Sequence, residues 1–205
     1  DVADAERVVA WGTSFAGGHV LSLAGNGERL AAIIAQVPHV SGPAAVRATG
    51  VRQALRLAPV ALTDLVGSFV GRPPRYVEAI GPERSVSALA SPGAMAGFSR
   101  LITESGLRRG DYPETVAARI LVKIGFYSPA RTAGAIDCPA LVQVASSDNI
   151  APAAAAAKVA ASIPRSTLRR YDCGHFDPYV DPFFPTVVAD QLAFLRDTVP
   201  VGPRV

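Results

Sequence analysis

Arg7-Val8-Val9-Ala10-Trp11-Gly12-Thr13-Ser14-Phe15-Ala16-Gly17-Gly18-His19-Val20 reads as a strand that runs into a helix through a serine. Residues 7–11 form a short apolar run closed by Gly12, as a buried strand would. Ser14 follows two residues later, and small residues then open a helix. So short a passage suits a nucleophile elbow, where the serine sits on a strained backbone that lifts its hydroxyl above the sheet. Neighbours two positions away on either side must be small, so that strand and helix can approach closely. Gly12 meets that need, and Ala16 adds one methyl group where glycine is usual. The helix beyond Ser14 aims unsatisfied N–H groups at the place where a negative oxygen would form.

Working outward, residues 30–37 and 141–145 are further apolar runs of strand length, and the more polar run 166–171 suits the far edge of a sheet. Residues 151–163 carry Pro152 near the start, five successive alanines and Pro164 just past the end, the punctuation of a helix. Val187, Val188, Leu192 and Leu195 place an apolar stripe on a helix over 184–198. Alternating strands and helices predict an α/β fold with a parallel sheet of about four strands flanked by helices. Residues 41–136 break the rhythm. They show helical segments over 51–61, 95–102 and 116–124, turn signals at Gly71-Arg72-Pro73-Pro74 and Ser91-Pro92-Gly93, and no clear strand. The expected organisation is a core of 1–40 and 137–205 with a helical cap of 41–136 inserted.

Composition narrows the function classes. Of 205 residues, 49% are hydrophobic and 18% charged, which excludes a disordered chain. No run approaches the roughly 18 apolar residues that a membrane span needs. The net charge is +3, with twelve Lys or Arg against six Asp or Glu in 41–136. Those arginines, as in Arg47, Arg52 and Arg56, lie at helical spacing and read as solvated faces, which argues against nucleic-acid binding. Two cysteines, with no CxxC or HExxH spacing, predict neither a disulfide scaffold nor a metal site, and no cofactor is implied. Cys138 precedes the third strand and Cys173 follows the fourth, so parallel pairing would hold them too far apart to bond. Free thiols predict a cytoplasmic protein.

A serine hydroxyl needs a base within hydrogen-bond reach. His175, in Asp172-Cys173-Gly174-His175-Phe176-Asp177, follows the fourth strand, and Asp148, in Ser146-Ser147-Asp148-Asn149, follows the third. Parallel strands bring both loops to the edge where Ser14 stands. The chain order is serine, acid, histidine, and in that arrangement Asp148 would fix the imidazole tautomer. Taken singly, Ser14 could mark an ordinary turn, Asp148 a helix cap and His175 a loop histidine; the conjunction carries the reading. His39 ends the second strand and is a candidate substrate-binding residue, although a structural histidine is the commoner role.

The segments Gly12-Thr13-Ser14-Phe15-Ala16-Gly17-Gly18-His19, Ile33-Ile34-Ala35-Gln36-Val37-Pro38 and Gly174-His175-Phe176-Asp177 resemble bacterial α/β-hydrolases. The resemblance is to capped, esterase-like members related to dienelactone hydrolases and the X-Pro dipeptidyl-peptidase group. It implies a serine hydrolase that cleaves carboxylic esters through an acyl-enzyme, with Ser14 as nucleophile, Asp148 as acid and His175 as base. The backbone N–H of Phe15 would be the first oxyanion donor. In that family the serine follows the fifth of eight strands, so the chain is expected to be a carboxyl-terminal half that lacks the loop giving the second donor. The alternative is a non-catalytic fragment or pseudoenzyme. A small-molecule ester is the expected partner. The strand before Ser14 is expected at an uncovered sheet edge, open to a second chain or to self-association.

Overall fold

The computed structural model describes residues 4–108 and 110–199. The chain runs β1 (Val9–Thr13), α1 (Ser14–Gly25), β2 (Ala32–Gln36), α2 (Gly42–Thr49), α3 (Val51–Phe69), β3 (Tyr76–Ile80), β4 (Ser87–Leu89), α4 (Ala94–Glu104), β5 (Thr115–Ala117), α5 (Arg119–Phe126), β6 (Ala140–Ala145), α6 (Ala153–Ser162), β7 (Ser166–Tyr171) and α7 (Phe184–Thr198). It divides into two compact units, Gly42–Tyr127 and the remainder on either side.

In the first unit β1, β2, β6 and β7 pair in that order, all parallel, as the apolar runs predict. All residues of β2 and β6 are buried, which explains why both read as unbroken apolar stretches. Side chains alternate between faces. Ile33, Ala35, Val142 and Val144 pack with Val20, Leu21 and Ala24 of α1 and with Ala156, Val159 and Ala160 of α6. On the other face Ala32, Ile34 and Leu141 pack with Phe194 and Leu195 of α7. Toward the carboxyl ends of the strands this second face becomes polar. Gln36 and Gln143, paired in register, both accept hydrogen bonds from the Gln191 side-chain amide of α7, at 2.8 and 2.7 Å. The Gln143 amide donates to the Tyr171 hydroxyl and the Val187 carbonyl, and the Tyr171 hydroxyl donates to Asp190. Each amide is oriented by its neighbours, so the buried Gln36 and Gln143 have their hydrogen bonds made.

The strand before Ser14 lies two residues further on than its apolar run suggests, ending at Thr13. As expected, β1 is an edge of the described sheet, and Trp11 is 52% exposed with its indole N–H donating to Gln191. Cys138 and Cys173 are both buried and unbridged.

The second unit is mainly helical, but it adds strands where the sequence showed no clear one. It holds α2 to α5 together with a three-stranded sheet in the order β4-β3-β5, in which β3 pairs parallel with β4 and antiparallel with β5. β5 takes residues 115–117, where a helix over 116–124 was expected, and α5 starts at Arg119. Two of these strands have only three residues, too few for alternation to register. Residues 128–136 also belong with the first unit rather than the insert: Ala130 N–H bonds the Val40 carbonyl, and Ala133 and Ile136 join the core cluster. Asp64 of α3 is the polar centre of the insert. It is 2% exposed and accepts hydrogen bonds from the backbone N–H groups of Arg75 and Arg119 and from the Arg119 guanidinium. The Arg119 guanidinium, ahead of burial and the backbone bonds in its effect, holds the Asp64 carboxyl well below the usual carboxylate range. No helix among the described residues is long and apolar enough to cross a membrane.

Candidate active site

Ser14 opens α1 with φ of 51°, in the left-handed region that a non-glycine residue enters only at a cost. The turn is tight enough that a Cβ at Gly12 would lie 2.3 Å from the Ala16 carbonyl oxygen, so glycine is required there. Ala16 itself is exposed, which is why its methyl group is tolerated where glycine is usual. Gly18 is equally constrained, since a Cβ would lie 2.2 Å from the His39 carbonyl oxygen. The Ser14 carbonyl accepts the His39 backbone N–H at 2.8 Å, tying the elbow to the chain beyond β2.

The three residues expected at one sheet edge are there together. The Ser14 hydroxyl lies 3.0 Å from His175 Nε2, and His175 Nδ1 lies 2.6 Å from Asp148 Oδ2. The His175 and Asp148 side chains are 4% and 1% exposed. Asp148 also does what a cap would do: its Oδ1 accepts the backbone N–H groups of Ile150 and Ala151, at 2.8 and 2.7 Å. One oxygen is therefore fixed by its own loop and the other faces the imidazole. The loop carrying His175 is shaped by Asp177, whose carboxylate accepts the Gly174 N–H at 2.7 Å. The ring of Phe176 stands edge-on to the His175 ring, with centroids 5.2 Å apart.

Phe15 lies in the first turn of α1, where backbone N–H groups point out of the helix end. Its ring contacts His19 and His39, with centroids 4.7 and 5.4 Å away. His39 is buried beside Phe15. Sequence reasoning assigned no role to Thr13 or Tyr179, whose hydroxyls lie 2.5 Å apart. Thr13 sits inside the elbow motif, but no periodicity or spacing marks Tyr179 as its partner. Among the described residues no group of three or more His, Cys, Asp or Glu side chains is placed to hold a metal ion.

The fold with its four-stranded parallel sheet matches solved structures across nearly the whole chain. The α/β hydrolase GrgF from Penicillium sp. sh18 superposes with a TM-score of 0.73 at 17% identity, over 97% of this chain and 66% of that one. The fold is that of the α/β hydrolases. The enol-lactonase from Burkholderia xenovorans LB400 has the same hydrolase fold, with a TM-score of 0.55 at 15% identity, over 93% of this chain and 66% of that one. Among curated proteins, the "Quorum-quenching protein AidA" of Acinetobacter baumannii (strain MDR-ZJ06) is 37% identical over 201 residues. That alignment covers 98% of this chain and 65% of the relative, so the chain spans about two thirds of the relative's length. No family model matches the chain.

Proposed function

We propose that this protein is a serine hydrolase that cleaves carboxylic esters through an acyl-enzyme. The observation that carries the reading is the continuous line Ser14 Oγ, His175 Nε2, His175 Nδ1 and Asp148 Oδ2, with contacts of 3.0 and 2.6 Å. In this reading Ser14 attacks the ester carbonyl carbon as its proton passes to His175 Nε2. Asp148 holds the tautomer with the proton on Nδ1 and stabilises the imidazolium. The oxyanion forms beside the N–H of Phe15 at the start of α1. Collapse breaks the carbon–oxygen bond, and His175 returns the proton to the departing alcohol. Water then repeats the sequence on the acyl-enzyme, releasing the acid and restoring Ser14.

The names of two similar proteins, one quorum-quenching and one an enol-lactonase, favour a small ester and include the cyclic case, in which the alcohol stays tethered to the acyl group. The inserted unit 42–127 leaves the chain just after His39 and is proposed as the substrate-selecting cap. The edge of β1, with Trp11 exposed, supports self-association, for which size-exclusion chromatography of the chain is the test; a monomer counts against it. The buried, unbridged cysteines fit a cytoplasmic setting.

The deciding experiment is labelling of the full-length protein with a fluorophosphonate, with Ser14→Ala as control. Labelling of the wild type, lost in the variant, is the expected result. An unlabelled wild type would favour the pseudoenzyme alternative. A series of p-nitrophenyl esters of increasing chain length, beside simple lactones, then reads the acyl preference.

A further inference from the structure

Ser14 and His175 approach each other from opposite ends of the described chain, one on an elbow and the other on a loop, so something must hold elbow and loop in register. Asp148 grips the far side of the imidazole from the loop after β6. The pair that joins the two segments is Thr13 and Tyr179. Thr13 is the residue before Ser14, and Tyr179 lies four residues after His175, in the short 3-10 turn Asp177–Tyr179. Their hydroxyl oxygens are 2.5 Å apart.

The donors and acceptors around this contact can be assigned without conflict. The Thr13 hydroxyl donates to the Gln36 carbonyl at 3.3 Å, which leaves its lone pairs to accept the Tyr179 proton. The Gln36 side-chain Oε1 in turn accepts from Gln191. Burial pushes the Tyr179 hydroxyl up to about 12, partly offset by the Thr13 bond, so it keeps its proton at neutral pH. The ring packs against the buried cluster of Val37, Ala145, Tyr171, Cys173 and Val187. The hydroxyl is thus fixed through Thr13 of β1, and the ring by the sheet under the histidine loop.

We propose that Tyr179 is a positioning residue that, through Thr13, clamps the His175 loop to the nucleophile elbow and so sets the Ser14–His175 distance. The proposal rests on the serine-hydrolase reading above. It follows from scale: misplacing a reacting group by about 1 Å costs on the order of 10² in rate, and the clamp lies one residue from one partner and four from the other.

The test is the rate and the stoichiometry of fluorophosphonate labelling of Ser14 in the full-length protein. Tyr179→Phe keeps the ring and loses the hydroxyl; it should slow labelling roughly tenfold or more while every molecule still labels in the end. Thr13→Val loses the bond to the Gln36 carbonyl besides and should slow labelling at least as much, and the double variant should be no slower than the worse single one, because the Thr13–Tyr179 contact is lost in all three. Thr13→Ser keeps the hydroxyl and should restore the rate to within about twofold. Wild-type rates in Tyr179→Phe, or single effects that multiply in the double variant, would overturn the clamp. So would a lowered stoichiometry with an unchanged rate in the fraction that labels, since Tyr179 would then serve only to keep the chain folded. An unlabelled wild type sinks the hydrolase reading itself, and the clamp with it.

Discussion

Between β2, β6 and α7 of the first unit, the amides of Gln36 and Gln143, both buried, meet the half-buried amide of Gln191, and all three are neutral. In the inserted unit the corresponding place is taken by a charged pair, Asp64 with Arg119, joined through both carboxylate oxygens. Amides cost less to bury than ions and orient without any net charge. The ion pair instead gathers three separate points of the chain, in α3, before β3 and at the start of α5, onto one carboxylate. The difference teaches where each unit is vulnerable. The contact of the sheet with α7 depends on hydrogen-bond geometry, and the insert on a protonation state.

The largest effect expected from breaking this division is chemical and confined to the first unit. In the full-length protein Ser14→Ala should lower ester turnover by something on the order of 10⁶-fold, with the fold retained, as for other triad nucleophiles; residual turnover near the wild-type rate would remove Ser14 from the mechanism. Asp148→Asn should cost roughly 10⁴-fold by favouring the wrong imidazole tautomer, read as kcat on the same ester. Asp64→Asn, by contrast, should leave Ser14 labelling in place while lowering the resistance of residues 42–127 to denaturant. Labelling lost together with that resistance would show that the two units are not separable in this way.

Acid sharpens the same contrast. The Asp64 carboxyl is depressed in the folded protein, so its pair stabilises fully above the ordinary carboxylate pKa near 4 and is lost as pH falls toward the folded value. Hydrogen exchange on acidification should therefore show 42–127 opening before the amide-bridged strands, and Asp64→Asn should flatten that dependence. The smallest effect expected is at Cys173. Burial, with the carboxylates of Asp177, Asp148 and Asp172 adding to it, pushes this thiol up to about 11, so alkylation by iodoacetamide at pH 8 should be far slower than for a free thiol.

The fold and the site were legible in the first unit because its signals are local and long. β2 and β6 are buried on both faces, which leaves unbroken apolar runs in the sequence. The elbow demands particular residue types at fixed offsets around Ser14. Order along the chain then placed Asp148 and His175, because parallel strands leave few alternatives. The insert was harder to read. β4 and β5 have three residues each, and Thr115-Val116-Ala117 runs straight into α5, so its apolar residues look like the first turn of that helix. The Asp64–Arg119 pair spans 55 residues and the Thr13–Tyr179 contact 166. Contacts of that range leave no period in a sequence.

The amide trio constrains how this chain can vary over generations. Gln191 gives hydrogens to two glutamine oxygens and accepts the Trp11 indole proton on its own oxygen, so a carboxylate at 191 would turn acceptors upon acceptors. Substituting 36 or 143 alone would strand one hydrogen of the 191 amide inside the protein. Positions 36, 143 and 191 are therefore inherited as a set: a lineage that drops one must change the others with it, and an alignment deep enough to show substitution would show them moving together.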